Sequence, residues 1–278
     1  MLVNLNQVLK KAQENRYAVG LFNTTDTDML EAAIGAAEEL RSPIIIGTAE
    51  VLLPYGELKL IAPSVVEAAK RATVPVVVHY DHGLTFERCM EALQLGFSSV
   101  MFDGSAKPYE QNLAETKEIV KIAHAMGATV EGEIGHVGEA ANEDNLLTDM
   151  YTTPDEAESY LNATGVDALA IAIGSAHGVY KTKPMLNIPR LCEIRKRVDV
   201  PLVLHGGSGL SDDDFRNTIR NGIAKVNIFT DLCLAGSSAM KEASDNNISY
   251  LDARNLKVNA IKEAVKKKMI LFGSDGRY

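Results

Sequence analysis

The sequence predicts an α/β protein, a closed (β/α)8 TIM barrel. Three observations predict it: eight short β-branched runs, helix-period segments between them, and polar residues gathered at the ends of those runs. The runs are "YAVGLFN" (17–23), "SPIIIGT" (42–48), "VPVVVHYD" (74–81), "FSSVMFDG" (97–104), "ATVEGEIG" (128–135), "DALAIAIG" (167–174), "VPLVLHGG" (200–207) and "IAKVNIFT" (223–230). Near-continuous apolar runs suit parallel strands covered on both faces. The intervening "TDMLEAAIGAAEEL", "TFERCMEALQL" and "NLAETKEIVKIAHAM" have helical periodicity, so the repeat is βαβ. An open eight-stranded sheet is the alternative, but eight units in about 230 residues favour closure.

The 278 residues are expected to form one domain, 1–278, with no linker or low-complexity break. The longest irregular stretch is "HVGEAANEDNLLTDMYTTPD" (136–155), a length uncommon except in a lid or a disordered segment. The tail reads as a loop, a basic helix over 257–269 and a frayed end. "SDDD" at 211–214 reads as a helix cap with acids in the first turn.

A net charge of −9 argues against a nucleic-acid partner, while leaving room for a local anion site. Cys89, Cys192 and Cys233 are odd in number and widely spaced, which suits a cytoplasmic protein without disulfides. The N-terminus is amphipathic and unlike a signal peptide, and no apolar run suggests a membrane partner.

In such barrels the chemistry sits at the C-terminal ends of the strands. The third run ends in His79, Asp81 and His82, the fourth in Asp103, and the fifth carries Glu131 and Glu133. His177 follows the sixth, His205 ends the seventh, and Asn227 and Thr230 end the eighth. His82, His177 and His205 are candidate zinc ligands, because three imidazoles leave one position of a tetrahedral ion open. His79 reads as a supporting residue, His124 as a structural helix residue and His136 as solvated. "GSAHGVYKTK" and "HGGSGL" are glycine-rich loops whose backbone N–H groups, with Lys181 and Ser208, suit a phosphate.

The ordered set "HYDHG", "SVMFDGS", "VEGEIG", "GSAHGVYK", "LHGGSGL" and "KVNIFT" resembles the class II, zinc-dependent ketose-bisphosphate aldolases, such as fructose- and tagatose-bisphosphate aldolases. The resemblance runs from "VGLFN" to "LFGSDG". It implies reversible cleavage of a ketose phosphate to dihydroxyacetone phosphate and an aldehyde such as glyceraldehyde 3-phosphate. It implies Zn2+ on His82, His177 and His205, with Glu133 near the metal and Asp103 steadying a ligand. Asp81 would exchange a proton with the hydroxyl at the cleaved carbon. Gly178, Lys181, Gly206, Ser208, Asn227 and Thr230 would cradle a phosphate, next to which the family often binds a monovalent cation, Na+ or K+. Arg254 would reach a neighbouring subunit of a homodimer or homotetramer.

The chain departs from the family pattern at three positions. Ala49 stands where a Ser or Thr is usual, Ala141 where a loop Glu protonates the enediolate, and Phe229 within "N-x-[ND]-T". Glu139 and Glu143 are the loop carboxylates that remain for that proton transfer. A related lyase with another aldehyde half, and a non-catalytic partner subunit of an aldolase, are the competing readings.

Overall fold

The computed structural model describes residues 1–138, 150–178, 180, 182 and 184–278. The expected loop carboxylates Glu139 and Glu143, Ala141, and the expected phosphate contact Lys181 lie outside these residues.

All eight predicted strands form. They are β2 (Val19–Asn23), β3 (Ile44–Ala49), β4 (Val76–Gly83), β5 (Ser99–Phe102), β6 (Thr129–Ile134), β7 (Ala168–Ile171), β8 (Leu202–Leu204) and β9 (Ile223–Ile228). Each pairs in parallel with its neighbours; β9 returns to β2, which closes the barrel. The strand not foreseen is β1 (Leu2–Val3), which pairs with Val76 and Val77 of β4.

Between the strands run α2 (Thr27–Leu40), α3 (Leu58–Arg71), α4 (Phe86–Gln94), α5 (Tyr109–Ala125), α6 (Pro154–Thr164), α7 (Ile188–Arg197), α8 (Asp212–Arg220) and α9 (Thr230–Asp245). Several start where the sequence offers caps. Thr153 and Glu156 form a capping box on α6, and Ser211 with Asp214 forms one on α8, as the "SDDD" reading anticipated. Each satisfies N–H groups that the first helical turn leaves unpaired.

Strand alternation separates two cores. Val76, Val78 and Tyr80 face the helices, while Val77 belongs to the barrel interior with Leu21, Ile45, Met101 and Val203. The period of two then places His79 and Asp81 inside, above Val77. The interior is closed from below by α1 (Leu5–Asn15), whose Leu5, Val8, Leu9 and Ala12 join the same cluster.

The tail departs from expectation. α10 (Tyr250–Phe272) begins before the predicted 257, capped by Ser249, whose side chain accepts from the Asp252 N–H. The terminus is not frayed. Gly276 N donates to Leu40 O (2.8 Å), Tyr278 N to Arg41 O (3.1 Å), and buried Ser274 meets Ser42 at 2.8 Å.

Candidate active site

The upper end of the barrel holds a pocket of about 520 Å3, lined by residues from all eight strand ends or the segments after them. Asp81, His82, Asp103, His177, Gly178, Gly206, Ser208, Asn227 and Thr230 line it together, though they come from five different strand–helix units.

β4 delivers two of these by breaking its own alternation. Tyr80 points outward and Asp81 inward, so a regular strand would turn His82 toward the helices. Instead His82 has φ +47° and the β4–β5 register shifts between Tyr80 and Gly83. A non-glycine residue in this left-handed region costs about 1–3 kcal/mol. The kink brings the imidazole back over the barrel mouth, and Gly83 follows so tightly that an added Cβ would lie 2.8 Å from Met101 O.

The three histidines converge. Their ligand atoms lie within 4.8 Å of one another. His82 Nε2 stands 2.8 Å from His205 Nδ1. The tautomers follow from the partners on the other side of each ring. His82 Nδ1 is 2.8 Å from Asp103 Oδ2, and His205 Nε2 is 2.9 Å from Glu131 Oε1. Carboxylates only accept, so both rings keep an N–H outward and turn their second nitrogens toward each other. At this separation a cation lies between the two nitrogens: the second proton of a charged His82, whose place a metal ion would take. His177 adds a buried Nε2 without a hydrogen-bond partner, while its backbone N–H donates to Gly138 O at 2.8 Å. This donor set fits a divalent ion of the zinc type, with outer carboxylates fixing two of the rings. A second set, His82, Asp103 and Glu133, is similarly compact.

Charge is concentrated around the cluster. Burial disfavours a charged His82, but Asp81 and Asp103 overcome it and raise the ring to about 10. Burial, reinforced by His82, lowers His177 to about 3 and also depresses His205. Burial raises Glu133 to about 8, helped by Asp103, and leaves its Oε2 without a partner. Burial would raise Asp81 as well, yet His82, Lys225 and His205 hold its carboxyl well below the usual range.

Asp81 is gripped by two amides. Asn23 Nδ2 donates to Oδ2 at 2.8 Å, and Asn227 Nδ2 donates to Oδ1 at 2.9 Å. Beneath it, Lys225 Nζ reaches Glu131 Oε2 at 2.7 Å, with both side chains fully buried. Sequence reasoning singled out neither Asn23 nor Lys225. The available signal was a lysine inside an otherwise apolar run, which requires a buried partner. His79 takes the supporting place expected of it, with Nδ1 2.8 Å from Ser99 Oγ.

The glycine loops meet as expected. Gly206 has φ +66°, and an added Cβ would fall 2.3 Å from Ala176 O. The Tyr180 hydroxyl, not foreseen, ties the two loops: it accepts from Ala176 N and donates to Gly206 O, both at 2.8 Å. Ser208 Oγ accepts from Phe229 N (3.3 Å) and Asp231 N (3.4 Å), pinning the start of α9 to the pocket.

One expectation falls elsewhere. His136 is not a solvated loop residue: it is half-buried, lines the pocket and lies 3.0 Å from Ser105 Oγ. Arg254 lies outside the pocket within one chain, paired with Asp28 at 2.9 Å and with Glu31. His124 on α5 pairs with Asp167 at 2.8 Å, the structural place expected.

Known proteins resemble the chain over its whole length. The chain is 40% identical over 307 residues to the fructose-bisphosphate aldolase of Thermus caldophilus, covering 100% of each. It is 40% identical over 282 residues to the 6-phospho-5-dehydro-2-deoxy-D-gluconate aldolase of Bacillus licheniformis, covering 99% of this chain and 96% of that protein. The crystal structure of the YdjI aldolase from Escherichia coli K12 superposes with a TM-score of 0.90 at 38% identity, covering 100% of this chain and 99% of that one. The family model described as fructose-bisphosphate aldolase class-II matches residues 3–277, and the chain, a lyase on a (β/α)8 barrel, belongs to the class II aldolase family.

Proposed function

We propose that the chain is a zinc-dependent aldolase that reversibly cleaves a ketose phosphate to dihydroxyacetone phosphate and an aldehyde. One observation carries the reading. Three convergent imidazoles, one with an orphaned buried nitrogen, share a pocket with a carboxylate clamped between two amides. Zinc bound there would act as the Lewis acid that stabilises the charge left on the carbonyl half. His82, His177 and His205 hold it, with Glu133 and Asp103 beside them. Asp81 stands ready as a carboxylate to take the hydroxyl proton when the C–C bond breaks, and to return it in condensation. Gly178, Gly206, Ser208, Asn227 and Thr230 offer backbone and side-chain donors at the N-terminus of α9, a natural phosphate seat. Lys181, and a sodium or potassium ion near the phosphate, complete that seat.

Fructose and tagatose 1,6-bisphosphates are the first substrates to test. A different aldehyde half is favoured by the pocket wall, where Ala49, Val51, Leu52, Leu84 and Phe229 present apolar surface. The Bacillus relative's name widens the set to 6-phospho-5-dehydro-2-deoxy-D-gluconate. The assembly is a homodimer or homotetramer in the cytoplasm, with Arg254 serving a neighbouring pocket; exposed Leu234, Tyr250 and Leu251 on α9 and α10 suit such a contact. Among the described residues no helix is long and apolar enough to cross a membrane.

The test is a coupled cleavage assay on these three sugars, with zinc and after chelation. Chelator-sensitive cleavage is expected, and Asp81→Ala should reduce it by about 100-fold or more. Bound zinc without cleavage of any of the three would shift the reading to another aldehyde half. Cleavage unaffected by chelation, or no zinc at all, would defeat it.

A further inference from the structure

His136 is the one pocket histidine that the metal cluster does not use. It follows β6 at the root of the long loop, and its backbone N–H donates to Met150 O at 3.0 Å. Its ring Nδ1 lies 3.0 Å from Ser105 Oγ. Ser105 Oγ is in turn 2.7 Å from Asp103 Oδ1, whose other oxygen takes the His82 N–H at 2.8 Å.

The direction of this chain is dictated at its carboxylate end. An ionised carboxylate has no proton to give, so Ser105 must donate its hydroxyl hydrogen to Asp103. Ser105 Oγ then offers only lone pairs to His136, and the ring must place its own hydrogen on Nδ1. In the neutral imidazole the proton is thereby kept off Nε2, which carries a bare lone pair. His136 and the zinc ligands His82 and His177 border the same pocket.

We propose that His136 is a proton acceptor for the carbon acid of the dihydroxyacetone phosphate half, with Ser105 and Asp103 fixing the tautomer that makes it one. The inference rests on the aldolase reading. In the condensation direction Nε2 forms an N–H bond as the carbon beside the carbonyl loses its proton. The C–H electron pair moves into the enediolate, whose charge a divalent ion held by His82, His177 and His205 would balance. In cleavage the protonated ring returns that hydrogen to carbon. The loop position that carries a Glu in the resembled family is Ala141 here, so His136 competes for this role only with Glu139 and Glu143 of the loop.

Two measurements test it. The first needs no turnover: long-range 1H–15N spectra of the histidine rings in the full-length protein, at a pH where His136 is neutral. His136 should show a protonated Nδ1 and an unprotonated Nε2, and Ser105→Ala should mix the two tautomers. An Nε2–H tautomer in the parent protein would overturn the proposal. The second is solvent deuterium exchange into dihydroxyacetone phosphate by the zinc-loaded enzyme without an aldehyde. His136→Asn keeps a donor for Ser105 but removes the base, so exchange should fall about 100-fold at unchanged zinc content. Exchange as fast as in the parent would sink the role of His136 alone. A parent enzyme that exchanges nothing would defeat the aldolase reading, and this inference with it.

Discussion

At the scale of single residues the site is a set of decisions about protons, and Lys225 shows how far down the barrel they reach. Its side chain is fully buried, bonded to Glu131 Oε1 at 3.0 Å and Oε2 at 2.7 Å. Glu131 is held down at about 2; burial opposes this, and Lys225, followed by His205, outweighs it. That ionised carboxylate orients His205. Lys225→Met should therefore leave an uncompensated buried charge and cost about 3–5 kcal/mol of stability. Zinc affinity should weaken about 10–100-fold, the usual effect of losing an outer partner of a ligating histidine. Denaturant unfolding and zinc competition with a chromogenic chelator measure the two. The double variant Lys225→Met/Glu131→Gln, which removes the charge imbalance, should recover most of the stability but not the zinc affinity. If the double variant is no more stable than the single one, charge balance is not what Lys225 provides.

At the scale of elements, α1 separates what supports the barrel from what works in it. Its Leu5, Leu9 and Ala12 are fully buried against interior residues such as Val19, Leu21 and Ala224 at the end opposite the pocket. Leu9→Ala should cost about 2–5 kcal/mol, through lost burial and the cavity left behind. The kcat of the folded enzyme below its melting temperature should stay within about twofold. Thermal melts and assays at low temperature check this; a kcat loss larger than tenfold would mean that the floor of the barrel is coupled to the site. This element also marks a limit of sequence reading. The eight runs and their polar ends were legible because strand periodicity and strand-end chemistry are local. That α1 closes the barrel is not local, and its amphipathic pattern indicates only a buried face. Asn23 and Lys225 were hidden for a related reason: each sits in an apolar run whose partner lies 58 or 94 positions away in the chain. His136 depends on Ser105, 31 positions away, so its turn into the pocket could not be read from loop composition. The early start of α10 was legible in principle, since Ser249 and Asp252 have cap spacing.

At the scale of the whole molecule, the proposed metal ties together parts of the chain that only the closed barrel brings near. His82 leaves β4, His177 follows β7 and His205 follows β8, and 123 positions separate the two rings that face each other at 2.8 Å. An unfolded chain holds no such arrangement, so zinc should bind the native state and add its binding energy to folding. With free zinc at about 1,000 times its dissociation constant, that gain is about 4 kcal/mol. For a chain of 278 residues, each kcal/mol moves the melting temperature by roughly 2–4 °C. Chelation should therefore lower Tm by about 8–16 °C, and adding zinc back should restore it. His177→Ala should abolish most of this difference while leaving the melting temperature of the chelated protein within a few degrees. The reason is that His177 Nε2 makes no hydrogen bond to lose. Lys225→Met acts in the opposite pattern, lowering Tm with and without zinc. Calorimetry on the two variants separates a residue that holds the metal from one that holds the fold. A melting temperature insensitive to chelation in a zinc-loaded protein would place the zinc somewhere other than these three histidines.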